Sequence, residues 1–284
     1  MHPRALHAFR FLLFVFLLIP LSSRESQSCR QVVEKMLEAI SRVKTAKYHL
    51  YSVERINEKI LTAHSDIKLN MSPRKLYFRN TMKGIEVLYV EGTLNGEALI
   101  NPNAFPYINL RLDPYRSIMR NNQHHTIFEL GFAHIGKIIE TSIQKHHKDF
   151  DQTFFLLPDV EFNNRPCYKV FSEVKAFKYM PYTVQKGETA RSIAEKFAVG
   201  EYRIFQNNPN LHYTDPIKPG RKIMIPNFYA EKTILYIDKL LMLPVYIKAY
   251  DDKGLYESYE FSNLEINGVI SPAEFTKGYK GYKF

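Results

Sequence analysis

Residues 182–189 read Tyr182-Thr-Val-Gln-Lys-Gly-Glu-Thr189, and the reading of that stretch decides how the whole chain is divided. Ser192-Ile-Ala-Glu-Lys-Phe197 follows it, then Phe205-Gln-Asn-Asn-Pro-Asn-Leu211, then Ile217-Lys-Pro-Gly-Arg-Lys-Ile-Met-Ile-Pro226. Tyr182 to Val184 has the look of a short strand, and Lys186-Gly187 turns the chain. Thr189 is placed to cap a helix whose Ala190, Ile193, Ala194 and Phe197 face inward. Glu201 to Asn207 fits a second short helix stopped by Pro209, and Pro219-Gly220 turns into a strand from Lys222 to Pro226. The order strand, helix, helix, strand describes a small unit with its own start and stop.

Strand-like sequence lies on both sides of that unit. Before it, Tyr168, Val170 and Val174 alternate with Lys169, Phe171 and Lys175. After it, Thr233 to Ile237, Leu243 to Tyr250 and Tyr256 to Ile266 are rich in aromatic and β-branched residues, which suit a pleated, half-buried surface. With the unit removed, Cys167 to Lys178 and Glu231 to Asp238 become adjacent strands joined by an ordinary turn. The unit is therefore expected to replace a hairpin loop, a site that accepts a compact insert with close ends at little strain.

Further upstream, Gln31 to Lys44 carries Val33, Met36, Leu37, Ile40 and Val43 at helical spacing. The period then falls to two through Tyr48–Ile56, Ile67–Met71, Leu76–Arg79 and Ile85–Tyr89, and Asn95-Gly96 marks a hairpin turn. A broad apolar helical stripe is expected between Thr126 and Lys148, through Ile127, Leu130, His134, Ile135, Ile138 and Ile139. The chain closes on Ser271-Pro-Ala-Glu-Phe275 and a basic-aromatic tail from Lys277 to Phe284.

The 284 residues are 45% hydrophobic and 24% charged, a globular composition large enough for one big domain or two unequal ones. Arg4 and Arg10 precede the apolar run Phe11 to Leu21, and Ser22 and Ser23 follow it. That is the pattern of a secretory signal peptide over residues 1–28, with an uncleaved anchor as the alternative. Export puts Cys29 and Cys167 in an oxidising compartment. A disulfide, a free thiol, or lipidation of Cys29 are all open readings. Residues 1–28 hold Arg4, Arg10, Arg24 and Glu25, so the net charge of +10 becomes +8 without them. A basic exported protein is attracted to anionic lipid, wall polymers and acidic glycans, and no nucleic-acid partner is expected.

The unit from Tyr182 to Asn227 resembles a LysM domain over its whole length, each piece in order and at the right spacing. The resemblance implies binding of N-acetylglucosamine polymers such as peptidoglycan in a shallow groove between two loops. The matching positions are Gly187, Glu188, Thr189 and Ala190 on one side and Asn208, Pro209, Asn210 and Ile217 on the other. This sequence departs from the pattern at Ala190, where Leu is usual, and at Asn207, where an apolar residue is usual. The competing reading is a LysM fold kept as a spacer.

The rest of the chain resembles an uncharacterised family of exported bacterial proteins, and more distantly the outer-membrane lipoprotein carriers of the LolA/LppX-like fold. The residues that carry this are Asn164-Arg-Pro-Cys-Tyr-Lys-Val170, Leu235-Tyr-Ile-Asp238, Leu243-Pro-Val-Tyr-Ile247, Asp251 to Gly254, and Tyr259-Glu-Phe-Ser-Asn263. Leu112-Asp-Pro114 and His124 to Phe132 agree with it. The resemblance implies an α+β fold: a curved antiparallel half-barrel sheet with helices on its concave face, in a discontinuous domain of residues 29–180 and 229–284. The LysM domain would occupy residues 181–228. Such a domain holds lipid or lipoprotein acyl chains, unless its helices simply fill the sheet face.

Signatures of chemistry are few. The adjacent pairs His124-His125 and His146-His147 diverge if helical, and His134 reads as a core histidine. Asp238 ends a strand and suits a turn contact. No nucleophile elbow, metal-ligand spacing or phosphate-cradling loop occurs, so neither a catalytic residue nor a metal or other cofactor is expected. The expected function is a non-enzymatic, exported envelope protein, in the periplasm of a Gram-negative bacterium. Its alternatives are a LysM-targeted wall-remodelling enzyme and a purely structural wall-binding protein.

Overall fold

A computed structural model describes residues 27–213 and 215–284. The signal-peptide segment lies outside the described residues, apart from its last two. The helices are α1 (Cys29–Ser41), α2 (Phe132–Lys145), α3 (Phe150–Thr153), α4 (Ala190–Phe197) and α5 (Glu201–Asn207). The strands before the insert are β1 (Thr45–Ile56), β2 (Lys59–Asn70), β3 (Lys75–Asn80), β4 (Glu86–Val90), β5 (Ala98–Asn101), β6 (Leu110–Leu112), β7 (Phe154–Phe162) and β8 (Arg165–Glu173). They are followed by β9 (Tyr179–Thr183), β10 (Lys222–Pro226), β11 (Lys232–Asp238), β12 (Pro244–Asp251) and β13 (Gly254–Ile266).

Eleven strands form one antiparallel sheet in the order β6-β5-β4-β3-β2-β1-β13-β12-β11-β8-β7, and β9 and β10 pair separately. The α+β content and the βααβ insert are present. The curved half-barrel is not: the sheet is a single open one, neither curled nor closed, with β6 and β7 at opposite edges. The half-barrel is implied by the resemblance alone, and period-two alternation cannot check it. Alternation fixes which side chains share a face, but twist and coiling depend on strand length, pairing and bulges, which the alternation does not encode.

The long strands β1, β2 and β13 form the middle of the sheet. β1 and β2 pair over twelve residues from Thr45↔Asn70 to Ile56↔Lys59, and β1 also pairs with β13. Their inward residues Ala46, Tyr48, Leu50, Ile67, Leu69 and Phe261 pack against Val32, Val33, Met36 and Ile40 of α1 and Phe132 and Ile139 of α2. Ser28 caps α1 in a capping box with Gln31, which fixes where the helix starts. α1 and α2 approach closely because position 136 is glycine: a Cβ there would lie 3.1 Å from Ile40 Cγ2. The expected helix over Thr126 to Lys148 is shorter at its start, because residues 126–131 form a turn and Gly131 takes a positive φ of 97° at the N-cap.

On the opposite face the C-terminal tail folds back. Tyr282 stacks on Tyr77 at 3.7 Å, and Lys47 and Lys68 pair with Glu274. β8 and β11 pair from Lys232↔Glu173 to Asp238↔Cys167, and β9, α4, α5 and β10 lie between them in sequence. Asp238 ends β11 and accepts from the backbone of Leu240 and Leu241, the turn role its position suggests.

Candidate ligand-binding site

The insert builds its first candidate surface from a tightly hydrogen-bonded loop. Thr189 caps α4, accepting from Ser192 N at 3.1 Å while Ser192 Oγ accepts from Thr189 N. Gly187, exposed and at φ 83°, makes the turn before it. Glu188 is half-buried and occupied: its carboxylate accepts from Tyr182 Oη, Gln185 N and Lys196 Nζ. Burial pushes that carboxyl up, but the donors outweigh burial and hold it below the usual range. Ile217 N donates to Glu188 O at 2.8 Å, so the structure joins the two loops at that point. Ala190 and Ile217 are buried at 3% and 5% exposure, so their side chains serve the insert's own core.

The remaining positions sit differently. Asn208 is a latch: its side chain donates to Ile204 O and Met224 O and accepts from Met224 N, tying α5 to β10. Asn210 is exposed. Pro209 lines a groove shared with Asn57, Glu58 and Asn121 of the large sheet domain. Of the eight positions, Gly187, Pro209 and Asn210 are exposed and Thr189 half-buried, with Glu188 and Asn208 as braces.

The insert is docked, not dangling. Arg203 of α5 is fully buried; its guanidinium lies 3.6 Å from the Tyr256 ring centroid, bonds Tyr229 O and approaches Asp251 at 3.8 Å. Arg55 of β1 pairs with the same Asp251. Glu201 pairs with Arg120 at 2.7 Å, and Arg191 stacks over Tyr115 at 3.7 Å. The His124 ring is sandwiched between Tyr202 of α5 and Tyr256 of β13.

Behind this joint lies a polar cluster on the helix-covered face of the sheet. His124 Nδ1 is 2.8 Å from Glu257 Oε2, and its backbone N–H donates to Glu54. Tyr229 donates to Glu257, and Tyr259 donates to both Glu54 and Glu257. Burial pushes both phenols well above their usual range, with the Glu257 charge adding to it. His125, Glu129 and His134 follow, with one donor atom of each within 4.8 Å of the others; among the described residues this is the group that could hold a metal. Burial, then the charge on His125, lowers His134 to about 4. Burial raises Glu129, but hydrogen bonding and charge from His125 bring it down to about 2.

Two apolar spaces flank this cluster, and His125 and Tyr259 line both. One, about 80 Å³, lies between Ile135, Ile138 and Ile139 of α2 and Val170, Leu235 and Ile247 of β8, β11 and β12. The other, about 630 Å³, is bounded by Leu50, Phe78, Val87, Ile100, Leu110 and Ile127. The helices therefore do not fill the sheet face; the smaller space is mainly apolar, and the larger also has Glu54, Asn80, Lys83 and Asn121 on its lining.

The His124-His125 pair lies in a loop, just before the expected helix; the carboxylate partners of His124 are 70 and 133 residues away, while His125 meets Glu129 four residues on and Glu257 far off. No local pattern signals the distant partners. Both cysteines are free thiols, Cys29 half-buried and Cys167 buried. Burial, with Asp151 beside Cys29 and Asp238 beside Cys167, pushes each up to about 11. At pH 8 that leaves roughly one thiol in a thousand as the reactive thiolate. Labelling by a disulfide reagent is accordingly expected to run at least tenfold slower than for free cysteine; labelling as fast as free cysteine would contradict it.

Residues 43–182 match the family model described as a protein of unknown function, DUF1571, and residues 182–226 match the LysM domain. The chain thus joins a DUF1571 domain to a LysM domain, and the LysM domain enters before the large sheet is complete, since β11, β12 and β13 follow it. No curated protein matches the chain. Among solved structures it is similar to the lipoprotein LppX of Mycobacterium tuberculosis, at 10% identity and TM-score 0.40 over 86% of this chain and 97% of that one. It is similar to a chain of the MucA/MucB complex of Pseudomonas aeruginosa, at 12% identity and TM-score 0.39 over 88% of this chain and 61% of that one. A LolA superfamily protein from Nitrosomonas europaea aligns at 9% identity and TM-score 0.34, over 89% of this chain and all of the other. With each of these TM-scores below 0.5, the shape of the sheet rests on this chain's own geometry.

Proposed function

We propose that this is a non-enzymatic protein of the bacterial cell envelope, exported and working in the periplasm of a Gram-negative cell. In this reading the LysM domain, residues 181–228, binds N-acetylglucosamine polymer of the wall. The discontinuous domain of residues 29–180 and 229–284 accommodates an apolar ligand, a lipid or lipoprotein acyl chain, under its helices. The observation that carries the reading is the LysM match over residues 182–226 on a complete βααβ unit with its capped Gly187–Thr189 loop exposed. The unfilled apolar face supports the second half, because an acyl chain entering it gains from burial. The rigid joint at Arg203 supports a fixed distance between wall and ligand.

Sedimentation with insoluble peptidoglycan tests the tether. The protein is expected to pellet, and Gly187→Val with Thr189→Ala is expected to abolish pelleting, since a β-branched residue is strained at φ 83° and the cap is worth about 1 kcal/mol. Pelleting unchanged in the double variant would sink the sugar-loop assignment. Mass spectrometry of organic extracts tests the cargo. Bound lipid is expected from the parent protein and at least a several-fold loss from Ser142→Phe, which projects a ring into the smaller space. An extract with no lipid counts against a carrier and favours a wall-binding structural protein; release of muropeptides from sacculi would instead favour a remodelling enzyme.

A further inference from the structure

The loop before α2 brings three metal-ligating side chains together. Glu129 Oε2 is pinned by Thr126, whose N–H donates at 2.6 Å and whose hydroxyl donates at 3.1 Å. Its other oxygen, Oε1, is left 3.8 Å from His134 Nε2. That nitrogen is withdrawn from solvent and has no hydrogen-bond partner. His125 Nδ1 lies 3.6 Å from Glu129, while its Nε2 faces Glu257 at 3.3 Å and Tyr229 Oη at 3.3 Å. The two imidazoles are 5.2 Å apart and inclined at 70°.

We propose that His125, Glu129 and His134 bind one divalent transition-metal ion, zinc fitting best, with a fourth position open to the apolar cavity between α2 and the sheet. Two imidazoles and one carboxylate are a donor set suited to zinc. Donors around a tetrahedral zinc stand roughly 3.4 Å apart. His125 lies 3.6 Å from Oε2 and His134 3.8 Å from Oε1; taking one ligand atom from each residue, all three lie within 4.8 Å of one another, a spread that small rotations of the two histidines would close. Glu257 supplies what a metal-bound histidine ordinarily has, a carboxylate on its other ring nitrogen that fixes tautomer and orientation. The charge also balances: two carboxylates, Glu129 and Glu257, meet at His125, and a dication offsets them. Both histidines line the cavity, and neither is sealed from solvent, which leaves an entry path.

Chelator-stripped protein titrated with zinc chloride alone by calorimetry is expected to take up one zinc per chain. Glu129→Gln and His134→Gln are expected to weaken binding by about tenfold or more, and His147→Ala, on the exposed chain after α2, to leave it unchanged. Cobalt(II) offers a readout independent of the variants' stability, since a four-coordinate site in the parent protein gives intense visible absorption. Failure to bind zinc stoichiometrically, a cobalt spectrum typical of six-coordinate solvent-exposed ion, or full affinity in folded Glu129→Gln and His134→Gln would each overturn the site.

Discussion

Arg203→Ala is expected to lower the stability of the protein by about 3 kcal/mol in urea unfolding followed by circular dichroism. The side chain is 0% exposed at the joint between the LysM domain and the sheet. Its removal takes away a cation stacked on Tyr256, a donor to the Tyr229 carbonyl, and one of the two guanidinium groups facing Asp251. Breaking a buried ion pair from one side commonly costs 3–5 kcal/mol, because the remaining charge is stranded. The low end applies here, since Arg55 still pairs with Asp251. Arg203→Met refills most of the volume and restores apolar contact with the ring, so it is expected to recover part of the loss. A specific structural consequence accompanies the energy: the connections at residues 174–178 and 227–231 should become sensitive to limited proteolysis in Arg203→Ala. A stability change under about 1 kcal/mol with no new cleavage would mean that the two domains are tethered but not docked.

Much of the LysM domain was legible because its signals are local. Thr189 as a cap, the helix from Glu201 to Asn207 and the strand from Lys222 to Pro226 depend on neighbours within a few residues, and all three appear where the sequence puts them. The pairing of β8 with β11 was readable for a related reason, since removing a self-contained unit leaves two strands of matching alternation. That the sheet is open and not a half-barrel was not legible, because alternation says nothing about coiling. The joint was not legible either. Glu201, Tyr202 and Arg203 look like the polar face of a short surface helix, and their burial is decided by Arg120, Asn57 and Asp251, which lie up to 145 residues away in sequence. The same holds for His124 and His125, whose partners Glu54 and Glu257 sit on strands from opposite ends of the chain. Buried polar networks are set by tertiary contact, so a sequence shows their members and not their meeting.

Glu257 is the member whose loss should cost most. It is 2% exposed, and its two oxygens have unequal work: Oε2 faces His124, His125 and the Tyr259 hydroxyl, while Oε1 takes the Tyr229 hydroxyl. Glu257→Ala opens a gap and leaves the His124 Nδ1 position with no acceptor; Tyr259 retains Glu54, and Tyr229 retains His125. A loss of about 3–5 kcal/mol is expected, from the cavity and the unpaired, buried His124 nitrogen together. Glu257→Gln separates the charge from the hydrogen bonds. Its amide oxygen can keep the crowded Oε2 side, and its NH2 then meets Tyr229, whose hydroxyl can accept as well as donate. The bonds survive in number while the negative charge is lost, so Glu257→Gln is expected to cost about 1–2 kcal/mol, well short of the alanine variant. Equal losses in the two variants would show that the charge facing His124 and His125, rather than the count of satisfied donors, holds this face of the sheet together. Measuring both by urea unfolding, with near-ultraviolet circular dichroism reporting the tyrosines of the cluster, distinguishes the two.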